Sequence, residues 1–174
     1  MVKNIKTMIP EEEVNARIAE LGAEISAAYE GEEIFMVCIL KGAAFFATEL
    51  AKRITVPVII DFMATSSYGS GTVSSGEVKV KKELDMEPSG KNVLIVEDII
   101  DSGNTLSFLQ GYFKEKNAKS ISSCTLLDKP DRREVDVKVD YSGFTIPDEF
   151  VVGYGLDYDQ KYRNLPYIGV VELD

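Results

Sequence analysis

Residues 93–106 read Val93-Leu94-Ile95-Val96-Glu97-Asp98-Ile99-Ile100-Asp101-Ser102-Gly103-Asn104-Thr105-Leu106. Four consecutive apolar side chains predict a short strand at 93–96 buried on both faces, as in a parallel sheet covered by helices. Two carboxylates follow at once. A turn with one glycine and two hydroxyls then leads into a helix from about Asn104 to Lys116, with Leu106, Leu109 and Phe113 facing inward. Ligands of open α/β sheets gather at the carboxyl ends of strands. The turn from Asp101 to Thr105 opens onto a helix N-terminus, so several backbone N–H groups can converge on one anion, and a phosphate suits that cradle. Asp-Ser-Gly is also ordinary chemistry for a turn and an N-cap. Glu97 and Asp98 favour the functional reading, because buried unpaired charge is costly and these carboxylates need hydroxyls or a metal as partners. A phosphorylated sugar offers the hydroxyls.

Outward from this segment, helices and apolar strands alternate. Pro10 followed by Glu11, Glu12 and Glu13 marks a helix start, with acids at the positive dipole end. Val14, Ile18, Leu21, Ile25 and Ala28 then form one apolar face of a helix reaching about Glu30. A buried strand is predicted at 34–40, a helix at 43–53 and a second strand at 56–64. Residues 65–76 are rich in serine, glycine and threonine. Residues 77–84 alternate Val78 and Val80 with charges and read as an exposed return strand. Further strands are predicted at 121–127, 150–152 and 168–171. This alternation predicts an α/β fold, a mostly parallel sheet flanked by helices, in one domain spanning 1–174.

Composition limits what such a domain does. With 45% hydrophobic residues among 174, the chain has enough apolar surface for a core without staples. Nineteen basic against twenty-nine acidic residues give a net charge of -10, which repels nucleic-acid backbones and anionic lipid. No histidine is present, which excludes His-based triads and His-ligated zinc. Cys38 and Cys124 both sit in apolar runs and read as buried free thiols, the alternative being a disulfide between neighbouring strands. No signal peptide is visible, and no apolar run approaches the ~20 residues that span a bilayer. The expected location is the cytoplasm.

The run 93–105 closely resembles the phosphoribosyl pyrophosphate signature of type I phosphoribosyltransferases, most closely their hypoxanthine-guanine branch. Further segments match that branch in order: Leu40-Lys41-Gly42, Ser67-Tyr68-Gly69, Leu127-Asp128-Lys129, and Phe150-Val151-Val152-Gly153-Tyr154 with Leu156-Asp157-Tyr158 and Arg163. The resemblance covers essentially the whole chain. It implies the family's fold, with a small hood and a flexible β-hairpin lid carrying Ser67 and Tyr68. It also implies purine salvage: transfer of the phosphoribosyl group to hypoxanthine or guanine, with magnesium as cofactor, in a homodimer or homotetramer.

Residue by residue, the resemblance implies that Glu97 and Asp98 hold the ribose hydroxyls, directly or through magnesium. Asp101, Ser102, Gly103, Asn104 and Thr105 would bind the 5′-phosphate, and Asp101 would be the general acid/base at the purine's imidazole edge. Lys41 and Gly42 would form the pyrophosphate loop, where the family's Leu40-Lys41 peptide can be cis. Arg163 would meet the pyrophosphate, and Asp157 would help hold a second magnesium beside the base. Lys129 would donate to the 6-oxo group, Phe150 would stack on the base and Val151 would meet its edge. Asn104 and Ser66 stand where some relatives carry lysine. Two other readings fit the signature: a transferase for xanthine or adenine, and a regulator that senses phosphoribosyl pyrophosphate and binds nucleic acid. Lys129 opposes adenine, since it would set a donor against the 6-amino group. The net charge of -10 opposes the regulator.

Overall fold

The apolar run at 34–40 forms strand β2 (Ile34–Leu40), whose alternate side chains enter two different cores. Ile34, Met36 and Cys38 join one cluster, while Phe35, Val37 and Ile39 join the other. Strand β5 (Asn92–Ile100) divides in the same way, with Leu94 and Val96 on one side and Val93 and Ile95 on the other. Neither strand has a solvent face over these residues, which is why neither run alternates with polar residues. Helices α1 (Glu11–Ala28) and α2 (Ala44–Arg53) cover the first face through residues such as Ile18, Leu21, Phe46 and Leu50. Helix α3 (Asn104–Glu115) covers the second through Leu106, Leu109 and Phe113. The structure is a computed structural model that describes residues 2–67 and 77–174.

Strand β3 (Val58–Ser67) pairs parallel to β2 and antiparallel to β4 (Val78–Lys82). On the other side, β5 pairs parallel to β2 and to β6 (Ser120–Asp128), and β7 (Tyr141–Thr145) continues parallel to β6. The order across the sheet is β4-β3-β2-β5-β6-β7. The chain therefore winds outward from β2 in one direction, returns to the middle at β5, and winds outward in the other. The switch point lies between β2 and β5. Their pairing runs from Phe35 opposite Val93 to Cys38 opposite Val96 and goes no further, although both strands continue. A cleft opens where they part, as expected at a topological switch.

A second sheet forms the hood: β1 (Val2–Ile9), β8 (Val151–Val152) and β9 (Ile168–Leu173), antiparallel in the order β1-β9-β8. The structure corrects the sequence reading in several places. The strand expected at 93–96 continues to Ile100, because β6 still pairs with it through Glu97 opposite Thr125 and Ile100 opposite Asp128. Glu97 and Asp98 thus lie within the strand and not at its end. Strands β1 and β7 were not foreseen. The first shows no regular alternation, and the second carries Gly143 where a Cβ would lie 2.4 Å from the Leu126 carbonyl oxygen. Both cysteines are buried free thiols, as read. Ser67 ends β3, whereas Tyr68 and the rest of the expected lid up to Gly76 lie outside the described residues.

Helices α1 and α2 meet at Gly22. A Cβ there would come within 2.5 Å of the Arg53 Cβ and 2.9 Å of its carbonyl oxygen. Helix propensity alone favours alanine over glycine by about 1 kcal/mol. The contact reverses that sign, because the end of α2 must shift to admit a methyl group. Gly22→Ala should therefore destabilise the fold by about 1–3 kcal/mol in urea unfolding. A stabilised variant would show that the two helices separate freely.

Candidate active site

Past Val96 the walls of the cleft are Ile39, Leu40 and Gly42 on one side and Glu97, Asp98 and Ile99 on the other. They enclose a cavity of about 490 Å³ that Thr65, Thr105, Asp157 and Arg163 complete. A chamber of about 80 Å³ adjoins it, lined by Asp101, Ser102, Gly103 and Thr105 along with Glu97 and Ile99. A third, of about 240 Å³, is lined by Asp98, Asp101, Lys129, Phe150, Val151 and Asp157, again with Ile99. Ile99 is common to all three, so they form one continuous cleft.

The two carboxylates sit at its centre. Glu97 is 6% exposed. Burial, reinforced by the neighbouring Asp98 charge, holds its carboxyl well above the usual range. Burial also raises Asp98, to about 6, against the pull of the Ile99 N–H and the Arg163 guanidinium. The Ile99 N–H donates to Asp98 Oδ1 at 2.8 Å. Gly42 packs against the same carboxylate: a Cβ there would fall 1.8 Å from Asp98 Oδ2. A Cβ on Gly155, at φ +103°, would fall 2.0 Å from the Gly42 carbonyl oxygen. Gly42 thus closes on the carboxylate and Gly155 on Gly42, each at a distance only glycine permits. The Leu40–Lys41 peptide is cis.

Arg163 spans the far wall. Its Nη1 donates to the Gly155 carbonyl at 2.7 Å and its Nη2 lies 2.9 Å from Asp157 Oδ1. Its Nε is buried with no hydrogen-bond partner among the described residues. Asp157 Oδ2 also accepts the Gln160 N–H at 2.8 Å. Lys41 lines none of the three chambers; its exposed ammonium donates to Gln160 Oε1 at 3.2 Å. Among the described residues, no three Asp, Glu, Cys or His side chains gather into a preformed metal cage.

In the small chamber the helix cap is Gly103, at φ 86°, and not Asp101, whose carboxylate makes no capping bond among the described residues. Only a residue tolerant of positive φ closes this turn, so Gly103 takes the position. Ser102 Oγ accepts the Asn104 N–H at 3.2 Å. The Asn104 side chain turns to Glu134, donating to Oε2 at 3.1 Å, and does not line the chamber. In the third chamber Lys129, 7% exposed, donates to the Glu149 carbonyl at 2.9 Å. Its ammonium also lies 3.9 Å from Asp101 Oδ1 and 3.8 Å from Asp148 Oδ1. Phe150 is 55% exposed, with its ring edge-on to Tyr158 at 5.7 Å. Val151 is buried in β8. Sequence reasoning missed Thr65, which completes the large cavity, and Asp148 and Glu149, which hold Lys129. Polar residues in the turn before Phe150 carry no periodic signal.

Because its folded pKa lies near 6, above the ordinary 3.8, Asp98 favours the folded state most when protonated. That contribution is complete below about pH 4 and is lost as pH rises through about 6, up to roughly 3 kcal/mol. Asp98→Asn removes the buried charge and keeps an oxygen for the Ile99 N–H. In metal-free buffer the variant should melt above the parent at pH 8, and the gap should close toward pH 4. A gap independent of pH would mean that Asp98 carries no such burden.

Residues 7–159 match the phosphoribosyl transferase domain family. The chain is 54% identical to the hypoxanthine phosphoribosyltransferase of Salmonella typhimurium, covering 99% of this chain and 98% of that protein. It is 53% identical to the protein of the same name from Escherichia coli K12, with the same coverage. A crystal structure of a hypoxanthine-guanine phosphoribosyltransferase from Bacillus anthracis, with a HEPES molecule in its active site, superposes with a TM-score of 0.92 at 49% identity, over 99% of this chain and 100% of that one. The type I fold expected from the motifs is the fold observed, and the chain belongs to the phosphoribosyltransferase family, in its hypoxanthine phosphoribosyltransferase branch.

Proposed function

We propose that the cleft between β2 and β5 joins a 6-oxo purine, hypoxanthine or guanine, to the ribose of phosphoribosyl pyrophosphate with release of pyrophosphate, as a step of purine salvage. The order of the three chambers carries this reading. An anion cradle, a carboxylate pair and a pocket with a buried ammonium beside an exposed aromatic ring all meet at Ile99. A nucleotide has the same three parts in the same order.

In this reading the loop from Asp101 to Thr105 binds the 5′-phosphate through its backbone N–H groups and hydroxyls. Glu97 and Asp98 accept the ribose hydroxyls. The pyrophosphate lies toward Gly42 and Arg163, whose buried Nε offers a donor that no described residue takes. Displacement at the anomeric carbon builds positive charge on the sugar and negative charge on the leaving group. The carboxylate pair faces the first and the guanidinium the second. Lys129 has three N–H donors and spends one on Glu149, leaving donors for the 6-oxo group. Phe150 supplies a stacking face, Val151 meets the base's edge, and the Asp101 carboxylate takes the proton that the purine sheds. Magnesium suits this donor set, since it is held by one or two carboxylates together with substrate phosphates and not by an all-protein cage. Glu97, Asp98 and Asp157 would hold it, and when bound it would neutralise charge on the pyrophosphate.

The substrates are small molecules. A net charge of -10 disfavours nucleic acid, and no described helix is long and apolar enough to cross a membrane. The reading places the working protein in the cytoplasm as a single domain, assembled as a homodimer or homotetramer.

A base-competition assay tests the reading. With phosphoribosyl pyrophosphate and magnesium, hypoxanthine and guanine should be consumed in preference to adenine by up to ~10⁴-fold, because a site built to donate to an oxo group rejects an amino group. Excess chelator should stop turnover. Adenine used equally well would overturn the role of Lys129, and full activity in chelator would remove magnesium.

Asp101→Asn separates chemistry from folding. The structure gives Asp101 no capping bond, so the variant should melt close to the parent and still bind phosphoribosyl pyrophosphate. An amide accepts no proton from the purine, and turnover should fall about 10²–10⁴-fold. Turnover within a few-fold of the parent would put the base elsewhere.

A further inference from the structure

The segment after β6 holds the Asp101–Thr105 loop from behind. The Lys129 N–H donates to the Ile100 carbonyl at 2.9 Å. The N–H groups of Glu134 and Val135 both donate to the Ser102 carbonyl, at 2.9 and 3.2 Å. Between these two lies the Asp101 carbonyl, and its donor is a side chain: Arg133 Nε, at 3.2 Å. The other end of that guanidinium pairs with the Asp128 carboxylate at the end of β6. Three successive carbonyls are thus each taken by the same segment, residues 129–135.

A trans peptide directs its carbonyl and the following N–H in opposite directions. Fixing the Asp101 carbonyl therefore fixes the Ser102 N–H, and fixing the Ser102 carbonyl fixes the Gly103 N–H. Neither of these two amides donates to any described residue. Ser102 and Gly103 both line the small chamber. Arg133 also fills the space behind Gly103, where an added Cβ would lie 3.1 Å from its Cδ. We propose that Arg133 is a positioning residue for the anion cradle: anchored by Asp128, it turns the Asp101–Ser102 peptide so that the Ser102 N–H faces the phosphate. The proposal rests on the reading of this loop as the 5′-phosphate site. Among the described residues, it is the only one of the three peptides held by a side chain, so it is the one that substitution can release.

The fork geometry matters. A guanidinium reaches Asp128 and the Asp101 carbonyl at once through two different nitrogens, whereas a lysine ammonium is a single point on its stem. Arg133→Lys can keep the ion pair while giving up the carbonyl. The test compares the parent, Arg133→Lys, Arg133→Ala for guanidinium rescue, and Thr105→Val, the last of which removes a hydroxyl from the cradle itself. For each, ribose 5-phosphate affinity is measured by calorimetry, the KM for hypoxanthine by turnover, and the melting temperature by scanning calorimetry.

Arg133→Lys should weaken ribose 5-phosphate binding about tenfold, the worth of one misdirected charge-assisted hydrogen bond. Its KM for hypoxanthine should stay within about twofold, because Lys129 and Val151, which meet the base in this reading, are held by Glu149 and by β9. Free guanidinium at millimolar concentration should restore part of the sugar-phosphate affinity to Arg133→Ala. Undiminished ribose 5-phosphate affinity in Arg133→Lys, with affinity lost in Thr105→Val, would overturn the positioning role and leave the phosphate site standing. Undiminished affinity in both variants would overturn the phosphate site and the proposal with it. Sugar and base constants worsening together with the melting temperature, without rescue, would reduce Arg133 to a structural ion pair and also overturn the proposal.

Discussion

The pairing of β2 with β5 ends at Cys38 opposite Val96, and the rest of the site depends on that ending. Had it run to the strand ends, Glu97 and Asp98 would face a closed sheet. Instead β5 keeps only β6 as a neighbour beyond Val96 and stays extended to Ile100. A strand paired on one edge is rigid enough to hold two carboxylates and open enough to present them. The expense shows in their protonation, since burial pushes both carboxyls upward. A binding site for hydroxyls and cations is thus maintained against the stability of the empty fold, as functional sites commonly are.

The decisive segment was legible because chemistry and fold coincide in it. A buried strand, a carboxylate pair and a glycine turn follow one another within 93–105, and each is recognisable from residue type alone. What escaped was whatever depends on a distant partner. β1 pairs with β9 from the other end of the chain, and its own residues show no strand period. Arg133 sits in a run of charges, Asp131-Arg132-Arg133-Glu134, that reads as a solvated turn; only the fold shows its guanidinium under the Asp101 carbonyl. The helix cap escaped as well: the Asp-Ser-Gly turn offers Asp101 as an ordinary candidate, and the positive φ that makes Gly103 the cap is invisible in sequence. Phe150 is the reverse case. Apolar character alone would bury it, yet the turn after Asp148 leaves its ring exposed toward the third chamber.

Glycine spacing explains why the site tolerates little change in its walls. Gly42 lies against Asp98 and Gly155 lies against Gly42, so the two loops and the carboxylate stack without side chains between them. Arg163 fastens the outer loop by donating to the Gly155 carbonyl while pairing with Asp157. One guanidinium thereby sets both a loop position and a carboxylate orientation, leaving its Nε directed at neither.

The wall of the base chamber is held through a longer chain of support. Phe150 and Val151 belong to or adjoin β8, which is only two residues long and too short to hold a position by itself. Its pairing is with β9, through Val151 opposite Val170 and Val152 opposite Gly169. β9 is held in turn by β1, from Val2 opposite Leu173 to Ile9 opposite Ile168. Residues 2–9 touch none of the three chambers, yet they complete the sheet on which the base wall hangs. The main sheet sets where the sugar and phosphate chambers lie, and the hood sets where the base lies. The relative placement of the two sheets therefore fixes the distance between base and sugar on which the transfer depends.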